Sequence, residues 1–226
     1  DADPALPARP DDVVLALYTS GTTGTLKAAQ HTQASYAAIC ANILANLANP
    51  GPGDAMLHAA SLIHASGTFV LPFWIRGGRA VVLDRFDPEA YLRAAGESGV
   101  THANLVPTML SMLLEHAPSA LDAGLGLRSV IYGASPMPQP VIERAMARWG
   151  PIFTQYYGQT EAPLALAVLD AADHVGPDAP LGACGQVAVD VGDREQAPQV
   201  ERGRQREGLL LGDVEFALQQ VEHDRV

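Results

Sequence analysis

Lysine is almost missing from this chain. Of 226 residues, 14 are lysine or arginine, and Lys27 alone among them is a lysine. Positive charge is therefore thin: the formal net charge is −11, and no basic stripe is visible along the sequence. That argues against a nucleic-acid partner. Cysteine is scarce as well. Cys40 and Cys184 stand far apart, without the spacing of a metal or redox motif, and a reduced, cytoplasmic setting is expected. Long apolar runs are also lacking. The most apolar stretch, Phe69 to Ile75, is too short to span a bilayer and carries Pro72, so neither a membrane span nor a signal peptide is expected. What is present is ordinary globular material. Apolar residues make up 48% and charged ones 17%, enough for one sizeable domain with a buried core.

The solitary lysine closes an unusual run, Tyr18-Thr19-Ser20-Gly21-Thr22-Thr23-Gly24-Thr25-Leu26-Lys27. Glycines let a backbone approach an anion, and successive N–H groups form a concavity that holds it. Hydroxyls add hydrogen bonds and the ammonium adds a point charge. The run therefore suits a polyphosphate. Its spacing, Gly-x-x-Gly-x-x-Lys with Ala28 following, is not that of a Walker A loop. A flexible Ser/Thr/Gly linker fits less well. The apolar segment 13–18 before the run reads as a buried strand and a helical pattern follows it, which is where α/β proteins hold phosphates.

Short apolar runs alternate with helical patterns along the rest of the chain. Strands are expected at 13–18, 55–59, 79–83, 101–106, 128–132, 152–157 and 164–169. Helices are expected at 32–47, 67–75 (buried), 87–98, 108–116 and 140–149. Asp87-Pro88-Glu89 is a helix start with proline where its missing N–H costs nothing. This alternation implies an α/β fold with a largely parallel sheet and flanking helices, its ligand at the carboxyl ends of the strands. The loops after Tyr18, Tyr132 and Tyr157 are expected to converge there. Beyond Gly185 the chain turns polar. A helix over 208–221 is possible, and 190–207 has no apolar periodicity and reads as exposed or poorly ordered.

Three further segments could carry chemistry. Gln155-Tyr156-Tyr157-Gly158-Gln159-Thr160-Glu161 offers a flat aromatic surface for a base and a carboxylate for a magnesium–phosphate complex. Taken alone it equally suits a solvated loop. Tyr132-Gly133-Ala134-Ser135-Pro136-Met137 has small residues that let a ligand lie against the backbone, or simply makes a tight turn. Leu62-Ile63-His64-Ala65-Ser66-Gly67 carries a histidine that by itself reads as structural.

In this order, the four segments resemble the adenylate-forming (acyl-CoA synthetase, AMP-binding) family of acyl- and aryl-CoA ligases, peptide-synthetase adenylation domains and beetle luciferases. The resemblance runs over roughly residues 10–185. Tyr-Gly-Ala-Ser-Pro-Met and Tyr-Gly-Gln-Thr-Glu-Ala-Pro look most like bacterial fatty-acyl-CoA ligases. It implies part of that family's large N-terminal domain, with ATP, magnesium and CoA used to turn a small carboxylic acid into an acyl-adenylate and then a thioester. It also implies residue roles. Thr19, Ser20, Gly21, Thr22, Thr23, Gly24 and Lys27 match the loop for the β- and γ-phosphates. Gly133, Ala134 and Ser135 match the lining of the adenine and acyl pocket, and Tyr157 and Gly158 the adenine platform. Thr160 matches the hydroxyl at the α-phosphate, Glu161 the magnesium ligand, and His64 a residue guarding the acyl pocket.

The chain also departs from the family pattern. Leu26-Lys27-Ala28 stands where the family has Pro-Lys-Gly. Little precedes the phosphate loop, so an exposed sheet edge, and self-association through it, is expected. Residues 1–185 are expected to form the AMP-binding core and 186–226 a divergent, partly disordered tail. Asp213 faintly matches the family's ribose-binding aspartate; alternatively, Val214 to Leu218 with His223 resembles the start of its C-terminal domain. No lysine follows Lys27, so the family's C-terminal catalytic lysine domain is expected to be absent. Activity in this chain is then expected to be impaired. The alternative is a non-catalytic nucleotide- or acyl-binding remnant.

Overall fold

A computed structural model describes residues 8–20, 26–164, 166–182 and 186–187. The expected helix at 208–221, Asp213 and the glycines and threonines at 21–25 lie outside the described residues. Two sheets build the fold, one of two strands and one of seven.

The first sheet corrects the reading of the amino-terminal run. Strand β1 (Val13–Ser20) pairs antiparallel with β2 (Leu26–Thr32), setting Thr19 opposite Lys27 and Tyr18 opposite Ala28. The run thus joins two strands of a hairpin, not a strand and a helix. Nor is β1 buried: Val14 is 42% and Tyr18 74% exposed, while Leu15 and Leu17 are half-buried. A run apolar at every position cannot reveal which face is covered, and an antiparallel ribbon leaves one face to water. Helix α1 (Gln33–Asn46) follows at once. Its N-cap Thr32 and Ser35 form a reciprocal capping box.

In the larger sheet, β3 (Ala55–His58), β4 (Arg79–Val82), β5 (His102–Leu105), β6 (Ser129–Tyr132) and β7 (Phe153–Tyr157) run parallel in the order β4-β3-β5-β6-β7. Short helices α2 (Ala65–Thr68) and α3 (Val70–Ile75), then α4 (Pro88–Glu97), α5 (Pro107–His116) and α6 (Gln139–Trp149), make the crossovers. The link from β7 to β8 (Ala167–Leu169) is too short for a crossover, so β8 turns antiparallel. β9 (Gln186–Val187) completes the sheet beside it. The largely parallel sheet with flanking helices is as expected, and Asp87 caps α4 with Pro88 in its first turn.

The segment 67–75 differs from its reading as one buried helix. The helix breaks at Phe69, which puts Pro72 in the first turn of α3, where its missing N–H is harmless. Phe69 and Phe73 are fully buried, whereas Leu71, Trp74 and Ile75 are exposed. The strand expected from Leu164 starts only at Ala167, because Leu164 has φ 58° and turns the chain.

The core has two layers, one on each face of the sheet. Leu57, Leu105, Val130, Tyr132 and Phe153 point toward α4, α5 and α6, meeting Leu92, Leu110, Leu113 and Ile142. Met56, Ile131 and Tyr156 point the other way, onto Ile43 of α1 and onto Phe69 and Phe73. Neighbours in sequence thus serve opposite layers, as the two-residue period of a strand requires. β3 and β5, buried on both faces, seat the sheet between helices.

Candidate functional site

The carboxyl ends of β3, β6 and β7 each release a loop, and these loops meet the inner face of the hairpin around a cavity of about 360 Å³. The loop after β3 supplies Leu62, Ile63 and His64, and α2 supplies Ala65, Gly67 and Thr68; the loop after β6 supplies Ala134. β7 and its loop supply Tyr156, Gly158, Gln159, Thr160, Pro163 and Leu164. Leu15 and Leu17, on the half-buried face of β1, and Tyr36 of α1 close the remaining side.

The backbone is crowded here. A Cβ at Gly133 would lie 2.5 Å from the Tyr156 carbonyl oxygen and 2.9 Å from its ring. At Gly158 it would lie 2.5 Å from the Leu164 nitrogen. Only glycine lets β6 and β7 end so close to these neighbours. Two non-glycine residues with positive φ, Ala134 at 70° and Leu164 at 58°, both line the cavity. Such strain persists where surrounding structure over-determines it, and it gathers at ligand sites.

Among the described lining residues there is no Asp, Glu, Lys or Arg. Apolar side chains dominate, with polar groups from Tyr36, His64, Thr68, Gln159 and Thr160. Burial pushes the Tyr36 phenol above its ordinary pKa, helped by Cys40. Burial also raises that of Tyr156, partly offset by a hydrogen bond with Asn104. Behind the wall, His58 Nδ1 lies 2.9 Å from Ser66 Oγ, and burial lowers its pKa to about 4, outweighing the hydrogen bond. It is a neutral imidazole that holds α2 from below.

A second hollow of about 540 Å³ lies between β2 and Glu161, lined by residues 28–32, Ser35 and Glu161. Across it, His31 Nε2 reaches the Thr160 carbonyl oxygen at 2.9 Å.

The residues singled out in sequence fall as follows. His64, Ala134, Gly158 and Thr160 line the 360 Å³ cavity. Glu161, exposed, lines the second hollow. Lys27 is exposed on β2, the strand that borders that hollow. Thr19 and Ser20 end β1. Gly133 is buried against Tyr156, Ser135 is exposed, and Tyr157 is half-buried outside the cavity wall, where Tyr156 stands instead. Residues 21–24 lie outside the described residues.

Residues 1–208 match the sequence profile of the AMP-binding enzymes. The chain belongs to the AMP-binding enzyme family. Among curated members it is 39% identical over 177 residues to the medium/long-chain-fatty-acid–CoA ligase FadD8 of Mycobacterium tuberculosis, covering 78% of this chain and 30% of that protein. It is 38% identical over 175 residues to a feruloyl-CoA synthase of Amycolatopsis, covering 76% of this chain and 35% of the relative. The N-terminal domain of FACL13 from Mycobacterium tuberculosis superposes with a TM-score of 0.73 at 27% identity, covering 84% of this chain and 47% of that one. The chain spans about a third of the length of the curated relatives it matches.

Sequence reasoning missed Leu15, Leu17, Tyr36 and His31 as residues around these cavities. For Leu15 and Leu17 the uniformly apolar run 13–18 gave no sign of which face of β1 turns inward. His31 carried none. Among the described residues no group of three or more His, Cys, Asp or Glu could hold a metal ion, and no helix is long and apolar enough to cross a membrane.

Proposed function

We propose that this chain binds ATP and a carboxylic acid with an apolar tail, and serves the acid's conversion to an acyl-adenylate and then an acyl-CoA in the cytoplasm. One observation carries the reading: His64, Ala134, Gly158 and Thr160, drawn from three distant segments, line a single cavity. The carboxylate would attack the α-phosphorus of ATP and expel pyrophosphate. The thiolate of CoA would then attack the acyl carbon and release AMP. Both steps depend mainly on alignment and on neutralising phosphate charge.

The chain's own residues support such roles. Residues 19–24 and Lys27 would hold the β- and γ-phosphates. Thr160 would donate to the α-phosphate region, while Gly133, Ala134, Ser135 and Tyr157, beside Gly158, would frame the adenine. Leu15, Leu17, Leu62, Ile63 and Leu164 suit an apolar acyl tail, with His64 at its entrance. A fatty acid is the substrate this wall favours. Glu161 would hold magnesium, which offsets phosphate charge when bound; a single exposed carboxylate fits an ion shared with a nucleotide rather than a cage of protein ligands. The outer strand β4, with Val82 54% exposed, is the edge through which copies could associate.

A second reading is favoured by one observation, Leu26-Lys27-Ala28 standing where the family has Pro-Lys-Gly. The chain would then bind nucleotide and acid without completing transfer, its residues 1–185 keeping the core and 186–226 having diverged. Calorimetric titration with magnesium–ATP tests the shared claim, and the absence of binding by folded protein refutes it. Acid-dependent exchange of pyrophosphate into ATP separates the two: exchange supports the enzyme, and binding without exchange supports the remnant.

A further inference from the structure

His31 sits on β2, four residues after Lys27, and only 4% of it is exposed. Its Nε2 lies 2.9 Å from the carbonyl oxygen of Thr160, a residue 129 positions away. A carbonyl oxygen only accepts, so Nε2 carries the proton and donates it. The bond joins the two-stranded sheet to the loop that leaves the seven-stranded one. They face each other across the 540 Å³ hollow lined by residues 28–32, Ser35 and Glu161. A directional, part-buried hydrogen bond across that gap fixes its width at this point.

We propose that His31 is a positioning residue, which sets the spacing between the Lys27 strand and the Thr160–Glu161 loop by holding the Thr160 carbonyl. The inference rests on the reading above, in which Lys27 and Thr160 hold different phosphates of one nucleotide. Two groups that must grip one ligand lose affinity when the gap between them drifts. His31 itself touches no substrate in this account.

The test compares His31→Leu, which keeps bulk and removes the donor, with His31→Gln, which restores an N–H. Magnesium–ATP affinity is measured by calorimetry on the full chain. His31→Leu is expected to weaken binding about tenfold, the loss of one hydrogen bond to a half-buried carbonyl, and His31→Gln to recover most of it. In a Lys27→Ala background the His31→Leu effect should shrink to about twofold or less, since only one grip remains. Equal losses in both backgrounds, or no recovery with glutamine, overturn the proposal. Hydrogen exchange supplies a readout that needs no nucleotide. His31→Leu should speed exchange at Ala162 and Leu166, whose amides bond to Gln159 and Tyr157 carbonyls, and leave β5 and α6 unchanged. Unchanged exchange in the 158–166 loop overturns the proposal even if the parent protein binds no ATP, an outcome that would separately refute the function proposed above.

Discussion

Alanine in place of glycine should have opposite effects at two positions of this chain. At Gly158 an added Cβ would lie 2.5 Å from the Leu164 nitrogen, 2.8 Å from its Cα and 2.9 Å from its carbonyl oxygen. All three are backbone atoms, so no rotamer change relieves the overlap. Leu164 is already at φ 58° and half of the turn around it is fixed by the Gln159–Ala162 hydrogen bonds. The loop must move by a sizeable fraction of an ångström, and overpacking of this kind costs about 2–3 kcal/mol. In a chain of this size each kcal/mol shifts Tm by roughly 2–4 °C, so Gly158→Ala should melt about 5–10 °C lower. Gly96 lies inside α4 with nothing within 4 Å of its would-be Cβ. There alanine only restricts the unfolded chain, and a gain of about 0.5 kcal/mol is expected. Differential scanning calorimetry of both variants reads the contrast directly. Titration of Gly158→Ala with magnesium–ATP should also show weaker binding, because Thr160 rides on the displaced loop. Gly158→Ala melting with the parent, or falling no further than Gly96→Ala, would refute the argument that backbone crowding shapes this wall.

Three other outcomes follow from particular groups. Lys27→Ala should weaken magnesium–ATP binding by about tenfold or more, the value of a charge-assisted hydrogen bond to phosphate, as read by calorimetry. His58 titrates near 6.5 when unfolded and near 4 when folded. The unfolded chain therefore takes up its proton first, and stability held above pH 6.5 falls as pH drops toward 4, by at most about 3 kcal/mol. Denaturant midpoints between pH 7 and 4 should show a shallower acid decline in His58→Asn than in the parent. Tyr132→Phe removes the hydroxyl 2.8 Å from His174 Nε2. The Nδ1–H of His174 is committed to the Asp170 carbonyl at 2.6 Å, so Nε2 is left as a buried acceptor without its donor. A loss of about 1–3 kcal/mol is expected in urea unfolding.

The main sheet was legible because its signals are local. The strands at 55–58 and 129–132 are short, mostly apolar runs bounded by turn residues, and α4 announces itself with Asp87-Pro88. The four ligand-like segments were legible because small and hydroxylic residues follow strand ends. The hairpin was not. Residues 28–32 read Ala-Ala-Gln-His-Thr, with no apolar alternation, so β2 forms because β1 templates it rather than through its own propensity. The exposed side of β1 was hidden for the opposite reason: Val13 to Tyr18 is apolar throughout, and the period of two vanishes. His31 left no trace, since what it does depends on a partner 129 residues away, and spacing within a segment carries no record of that.

The same topology explains why the cavity lies where it does and why two strained residues border it. The parallel strands are covered on both faces by helices, so their carboxyl ends are the place where loops can splay apart. β7 has no helix after it, only the short return to β8. That return must reverse direction within nine residues, and it does so by putting Leu164 in the left-handed region beside Gly158. Tight reversal keeps Thr160 and Pro163 close to the strand end and leaves their outer side without sheet or helix. The hairpin occupies that outer side, presenting Leu15 and Leu17 inward and bonding to Thr160 through His31. One wall of the cavity is thus fixed by the sheet and the facing wall by a separate ribbon. A site assembled in this way has its width set where ribbon and loop meet, at the His31–Thr160 bond, while α1, which continues directly from β2, anchors the ribbon to the core through Ile43.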